Sequence, residues 1–245
     1  MKINPGFWKK GLNSVGFLLA ICRHRFMEDI MLENTKAGFK QVVLLGAGYD
    51  TSYRRNQSFL GEVRFIEIDH PNTQKRKIKI LVKKSPEILE KVVYVGLDLE
   101  KDDLDSALVG RDLVDSEPVL VIAEGVLSYL PGDTFDKVLQ WVADLADHVC
   151  FVADYRLQQM TDKDAPLTVK RWRKEFGFMH ENYNSFFSYE TMEKKLINFG
   201  FRIKRHLHLA NLWKEYTGDR VPGHLMHTAG VFIAEHGKGM RRTDH

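Results

Sequence analysis

The chain has 245 residues, 44% of them hydrophobic and 28% charged, with a formal net charge of +3. That balance fits one α/β domain with a substantial core, requires no second domain, and is unlike a disordered, collagenous or membrane-spanning chain. The mild positive charge falls short of a nucleic-acid footprint, and two cysteines, Cys22 and Cys150, are too few for a disulfide framework or a zinc cluster.

Lys2, Lys9 and Lys10 precede the apolar run Val15 to Cys22 in a way that imitates a secretory signal. The run is short, follows Asn13-Ser14, and leads directly into Arg23-His24-Arg25 with no small-residue cleavage site, so export is not expected. It is also too short to span a bilayer. A reducing, cytoplasmic setting with no membrane partner is the expectation. Phe26, Ile30 and Met31 continue at helical spacing, which predicts cap helices within residues 1–38 lying over a ligand cleft.

Val42-Val43-Leu44-Leu45 then runs straight into Gly46-Ala47-Gly48, the pattern of a strand buried on both faces that ends in a tight turn. Glycines there admit positive φ and let a ligand approach the backbone, while the N–H groups of the following helix face that ligand. The third glycine of the dinucleotide fingerprint would fall at Thr51, so G-x-G-x-x-G is incomplete and a plain β-turn is the alternative. A helix is predicted over Thr51 to Leu60, with Asp50 as its cap in preference to a ligand contact.

A second buried strand, Val63 to Asp69, ends in acids about twenty residues on, where a carboxylate can accept both hydrogen bonds of a ribose diol. Glu67 and Asp69 are expected on opposite faces of that strand end, which leaves Glu67 a structural role near the glycine turn. The basic tract Lys75 to Lys84, interleaved with Ile78, Leu81 and Val82, is expected to be the solvated face of a helix covering the sheet. A third apolar run, Val92 to Leu97, ends in Asp98-Leu99, and a fourth, Val119 to Ala123, ends in Glu124-Gly125. Four parallel-looking strands thus present polar or glycine tips at one edge, the ligand-binding edge of open α/β sheets.

Thr134 to Ala146 is predicted helical, with Phe135, Val138, Leu139, Val142 and Leu145 on one face, and His148 to Asp154 is predicted as a fifth strand. Residues 155–188 are aromatic and irregular, and a long segment of that kind inside a compact domain is expected to be a lid or substrate insertion. Helix Tyr189 to Phe199, closed by Gly200, precedes an antiparallel strand pair, Phe201 to His208 and Thr228 to Ala234. His206 with His208 and His224 with His227 have ligand-like spacing. No acid or cysteine completes either pair, and each is expected on a solvated strand or loop, so no metal is expected.

Five motifs occur in order: Arg23-His24-Arg25-Phe26, Leu45-Gly46-Ala47-Gly48-Tyr49-Asp50-Thr51, Phe65-Ile66-Glu67-Ile68-Asp69-His70-Pro71, Asp98-Leu99, and Ala123-Glu124-Gly125-Val126-Leu127-Ser128-Tyr129-Leu130-Pro131. Together they resemble the leucine carboxyl methyltransferase family of S-adenosyl-L-methionine-dependent enzymes. The resemblance implies a Rossmann-like class I methyltransferase, with a seven-stranded, mostly parallel sheet, helices on both faces and an antiparallel last strand. It implies that Arg23, or Arg25 two residues on, pairs with the carboxylate of the cofactor's methionine moiety. Gly46 and Gly48 would form the cofactor loop, Asp69 would take the ribose hydroxyls, and Asp98 with Leu99 would meet adenine. Glu124 would contact the amino-acid part, and Tyr129 would line the acceptor pocket.

The expected reaction is methyl transfer to an oxygen of a small-molecule or peptide acceptor. A carboxylate nucleophile is already ionised and needs no general base, whereas a hydroxyl requires one and would bring Tyr129 under suspicion. A nicotinamide-dependent oxidoreductase on a similar sheet is the alternative, disfavoured by the missing third glycine and by Glu124-Gly125. A non-catalytic protein that binds S-adenosyl-L-methionine would carry the same cofactor motifs.

Overall fold

Gln41–Leu45 forms strand β1, in which all five residues are buried, as the unbroken apolar run requires. The computed structural model describes residues 15–104, 114–158 and 183–237, together with 167 and 170. Around β1 lie β2 (Arg64–Asp69), β3 (Val92–Gly96), β4 (Val119–Ala123), β5 (His148–Arg156), β6 (Arg202–His208) and β7 (Ala229–Gly237), in the sheet order β3-β2-β1-β4-β5-β7-β6. The four pairings from β3 to β5 are parallel, and β7 runs antiparallel to both β5 and β6. This is the seven-stranded sheet expected from the sequence.

Helix α1 (Val15–Lys36) buries Leu19, Cys22, Phe26, Met27, Ile30 and Met31 on one stripe. Two single-turn helices, α2 (Ser52–Arg55) and α3 (Gln57–Leu60), replace the one helix expected there, with the break at Asn56. The N-cap position is Thr51, which makes no side-chain cap bond; Asp50, expected as the cap, stands one residue earlier and accepts from the Ser52 N–H at 2.7 Å. Then come α4 (Pro71–Lys84), α5 (Gly132–Asp144), α6 (Tyr189–Asn198), which Ser188 caps, and α7 (Leu209–Thr217). α5 and α6 pack on the face of the sheet that carries Val43, Ile66, Val121 and Phe151. α1 and α7 pack on the opposite face, against Val42, Phe65, Leu120 and Val152.

Three readings of the sequence are corrected here. Glu67 shares a sheet face with Asp69, because residues two apart in a strand point the same way. Their roles differ by depth. Glu67 sits one pleat further in, 3% exposed, and pairs with Lys77, while Asp69 stands at the edge and bonds the glycine turn in its place. Lys77 is accordingly buried with Gln74 and Leu81 on the inner face of α4, not part of a wholly solvated basic face. His206 is buried too: its Nε2 lies 2.7 Å from the Tyr155 hydroxyl, and the Tyr189 ring stacks on it at 3.6 Å.

β5 continues two residues past Asp154, pairing Tyr155 with Gly230 and Arg156 with Ala229, so the insertion begins later than residue 155. Most of that insertion, including Trp172, Phe176, Phe178 and Met179, lies outside the described residues, as does the start of the N-terminal cap. Among the described residues no helix is long and apolar enough to cross a membrane.

The buried Glu67–Lys77 pair yields a test. Burial pushes the Glu67 carboxyl up to about 7, against the pull of Lys77. An acid whose folded pKa is raised stabilises the fold below its unfolded value, and that stability is lost as pH rises toward the folded value, here between roughly 4.3 and 7. Lys77→Met removes the pull, so Glu67 titrates higher still and its charged form is left buried alone. The variant should lose about 3–5 kcal/mol in urea unfolding at alkaline pH and less below neutrality. Lys79→Ala on the exposed face should change stability by no more than about 0.5 kcal/mol. Equal, pH-independent losses in the two variants would refute the pairing.

Candidate functional site

The register of the sheet assembles the site. Ile68 pairs with Leu45, Leu45 with Ala123, and Ala123 with Ala153. One residue beyond that row stand Asp69, Gly46, Glu124 and Asp154, side by side on four adjacent strands. Parallel pairing alone therefore sets three carboxylates and a glycine along one edge.

Gly46 has φ of 63° and Gly48 of 51°. At Gly46 an added Cβ would come within 2.4 Å of a Val126 methyl, so this turn admits no side chain without displacing the loop after β4. Asp69 accepts from the Gly48 N–H at 2.5 Å, which ties the tip of β2 to the turn. Its other oxygen has no hydrogen-bond partner among the described residues.

Arg23 rises from α1 into this row. Its Nε donates to Glu124 at 3.1 Å and its Nη1 to Asp154 at 3.0 Å, and its guanidinium lies close over Gly125. The two carboxylates hold the guanidinium pKa above its ordinary value although burial opposes this. Asp154, 2% exposed, also accepts from the Gly125 N–H at 2.5 Å. The other oxygen of Glu124 meets His24 Nδ1 at 2.8 Å, and that hydrogen bond raises the His24 pKa against burial and the Arg55 charge. Arg25 lies on the outer side of α1 and pairs with Asp29, away from the row. Of the two arginines, only Arg23 reaches the strand tips.

Two cavities meet at Glu124. The first, about 300 Å³, lies between α1 and the glycine turn, with His24, Met27, Glu28, Gly46, Gly48 and Glu124 on its walls. The second, about 250 Å³, is walled by Arg23, Glu124, Tyr129, Asp154, Arg156 and Tyr183. Tyr129 and Tyr183 pack ring against ring at 4.9 Å, and the buried Arg156 donates to the Tyr183 hydroxyl at 3.1 Å and lies over its ring. Asn184 and Ser185 bond the backbone of Ser128, Tyr129 and Leu130, which fastens the far end of the insertion to the second cavity.

Asp98 and Leu99 follow β3 at the same edge. The Asp98 oxygens accept from the Glu100 N–H and from Lys101, and the Lys101 bond draws its pKa down. Leu99 is half-buried against the core. Sequence reasoning passed over Asp154, His24 and Arg156. For Asp154 a signal existed: the fifth apolar run ends in an acid, as the second and fourth do. For His24 and Arg156 the partners come from elements about 100 and 27 residues away, which no local pattern announces.

Residues 11–143, more than half of the chain, match the family model described as leucine carboxyl methyltransferase. A protein of Mycolicibacterium smegmatis is 32% identical over 142 residues, covering 58% of this chain and 46% of its own length. One of Mycobacterium tuberculosis is 34% identical over 125 residues, covering 51% and 39%. Both are named as candidate S-adenosyl-L-methionine-dependent methyltransferases, and the chain matches less than half the length of each. Among solved structures, a candidate methyltransferase of Thermobifida fusca superposes with a TM-score of 0.68 at 16% identity, over 91% of this chain and 83% of that one. A DUF574 family protein of Streptomyces avermitilis gives 0.65 at 16%, over 88% and 82%. At such identities the likeness is one of fold.

Gly46→Ala should be destabilising, with about 1–2 kcal/mol from the left-handed backbone alone and more from the displaced Val126. In urea unfolding its cost should shrink in a Val126→Ala background, where the clash is gone and the backbone strain persists. An equal cost in both backgrounds would show that Val126 does not constrain the turn.

Proposed function

Because the chain belongs to the leucine carboxyl methyltransferase family, we propose that it transfers a methyl group from S-adenosyl-L-methionine to an oxygen of a small-molecule or peptide acceptor, a carboxylate in preference to a hydroxyl. The observation that carries this reading is the pair of cavities sharing Glu124 as a wall. In-line displacement needs donor and acceptor sites that open into one another, and the shared wall supports that arrangement.

The residues present fit the cofactor. Gly46, where a Cβ would strike Val126, leaves bare backbone beside the first cavity. Asp69 keeps one carboxylate oxygen for a ribose diol while the other holds Gly48. Glu124 and His24 offer polar groups to the amino-acid end, and Leu99 an apolar surface to adenine. Arg23 has its Nε and Nη1 on Glu124 and Asp154, so its role toward a cofactor carboxylate is that of a single-edge donor, not a free fork. When bound, S-adenosyl-L-methionine supplies an electrophilic sulfonium methyl.

In the second cavity Arg156, fixed on the Tyr183 ring and hydroxyl, supplies a permanent positive charge suited to an anionic acceptor. A carboxylate held there arrives ionised, so the chain's task is placement and the exclusion of water. Orientation of this kind is worth roughly 7–11 kcal/mol of barrier.

Calorimetric titration of the chain with S-adenosylhomocysteine, with NAD in parallel, tests the reading. Wild type should bind S-adenosylhomocysteine and not NAD, and Asp69→Ala should bind it roughly tenfold or more weakly, the expected loss for a hydrogen bond to a charged group. Binding of NAD alone would overturn the assignment.

A further inference from the structure

Beside Val15 at the start of α1, the end of α7, the loop after it and the turn His224–His227 enclose a surface concavity of about 640 Å³. Its titratable walls are all basic: the permanent cations Lys214 and Arg220, and the imidazoles of His224 and His227. Among the described residues no acid lines it, and none of the four has a carboxylate partner. A group of like charges left without acids raises the energy of the free protein, and an anion relieves it.

The concavity also adjoins the site described above. A Cβ at Gly223 would touch Val15, and the next residue of α1, Gly16, lines the second cavity. At the other end of the turn the Thr228 carbonyl accepts from the Leu157 N–H at 2.9 Å, one residue beyond Arg156. The two hollows are therefore joined by backbone at both ends.

We propose that this concavity is a binding site for a phosphate-type oxyanion, free or as the anionic end of a larger molecule. Lys214 and Arg220 supply two permanent charges, which match the charge of about −1.5 to −2 on a phosphate monoester at neutral pH. His224 and His227 add directional N–H donors. Burial first, then the positive neighbours His208, His224 and Lys214, hold the His227 pKa below the ordinary histidine value, so at neutral pH it donates without adding charge of its own. A monocarboxylate would leave one of the two permanent charges unmatched. The assignment concerns oxyanion binding alone and does not rest on the methyl-transfer reading.

The test is titration of the chain with inorganic phosphate and with phenyl phosphate at neutral pH, ionic strength held constant with chloride. Binding is followed by calorimetry and by the imidazole resonances of His224 and His227. Both resonances should shift saturably. Lys214→Ala/Arg220→Ala should bind roughly tenfold or more weakly. The control Lys79→Ala/Lys83→Ala, which removes the same charge from the exposed face of α4, should bind as wild type does. All substitutions are at exposed side chains, and unchanged thermal unfolding verifies the fold. Tighter binding of phenyl phosphate would mark the site as one for the end of a larger molecule, and equal binding as one for the free oxyanion. Unshifted histidine resonances, or equal weakening in the two double variants, would overturn the proposal.

Discussion

A guanidinium brought into a protein interior must find its charge partners there, and Arg23 finds two. Its bonds to Glu124 and Asp154 join α1 to the tips of β4 and β5, across more than 100 residues of chain. Losing either carboxylate would leave a buried charge under-compensated, an expensive state, so the three groups stand or fall together. Asp154 reaches further by holding the Gly125 N–H, which fixes the turn that carries Val126 against Gly46. The conformation of the glycine turn on β1 thus depends, through two contacts, on an arginine in a helix that sequence places before it. One arginine against two acids leaves an excess negative charge, and the hydrogen bond between His24 and Glu124 raises the His24 pKa in response.

This arrangement explains why the site has two halves. Glu124 projects from the middle of the strand row, so space on either side of it belongs to a different neighbour. Toward β1 lie the glycine turn and the outer half of α1. Toward β5 lie Asp154, Arg156 and the anchored end of the insertion. A single α1 helix roofs both halves, with His24, Met27 and Glu28 over one and Gly16, Leu19 and Ala20 over the other.

The sequence made the strands legible because burial on both faces leaves unbroken apolar runs: β4 lies at Val119–Ala123 as the apolar run indicates. It made the strand tips legible because each run stops at a glycine or an acid. Partnership was harder to read. Lys77 in a basic tract looks solvated until Glu67, ten residues earlier, is known to lie beneath it. His206 looks like half of an exposed pair until Tyr155 and Tyr189 enclose it. α7 carries its apolar residues Leu209, Ala210 and Leu212 in a short segment between strands, where spacing alone does not separate a helix from a loop. In each case the deciding neighbour is distant in the chain, and periodicity carries no information about it.

The two cavities also differ in how their walls are held, and that difference bears on what each can recognise. The first is bounded by strand tips whose positions follow from parallel register and from main-chain bonds such as Gly48 N–H to Asp69. On its other side α1 contributes His24, Met27 and Glu28, so this wall joins main chain set by the sheet to side chains from one helix. The second is bounded by side chains that prop one another: Tyr129 on Tyr183, Tyr183 on Arg156, Ser185 on the Leu130 carbonyl. None of these is dictated by sheet geometry, and each could be another residue type without disturbing the sheet. On the proposed reading, what the second cavity accepts is decided at the junction between the end of β5, the turn after β4 and the returning insertion, with the strand-tip residues Glu124 and Asp154 shared as part of its wall.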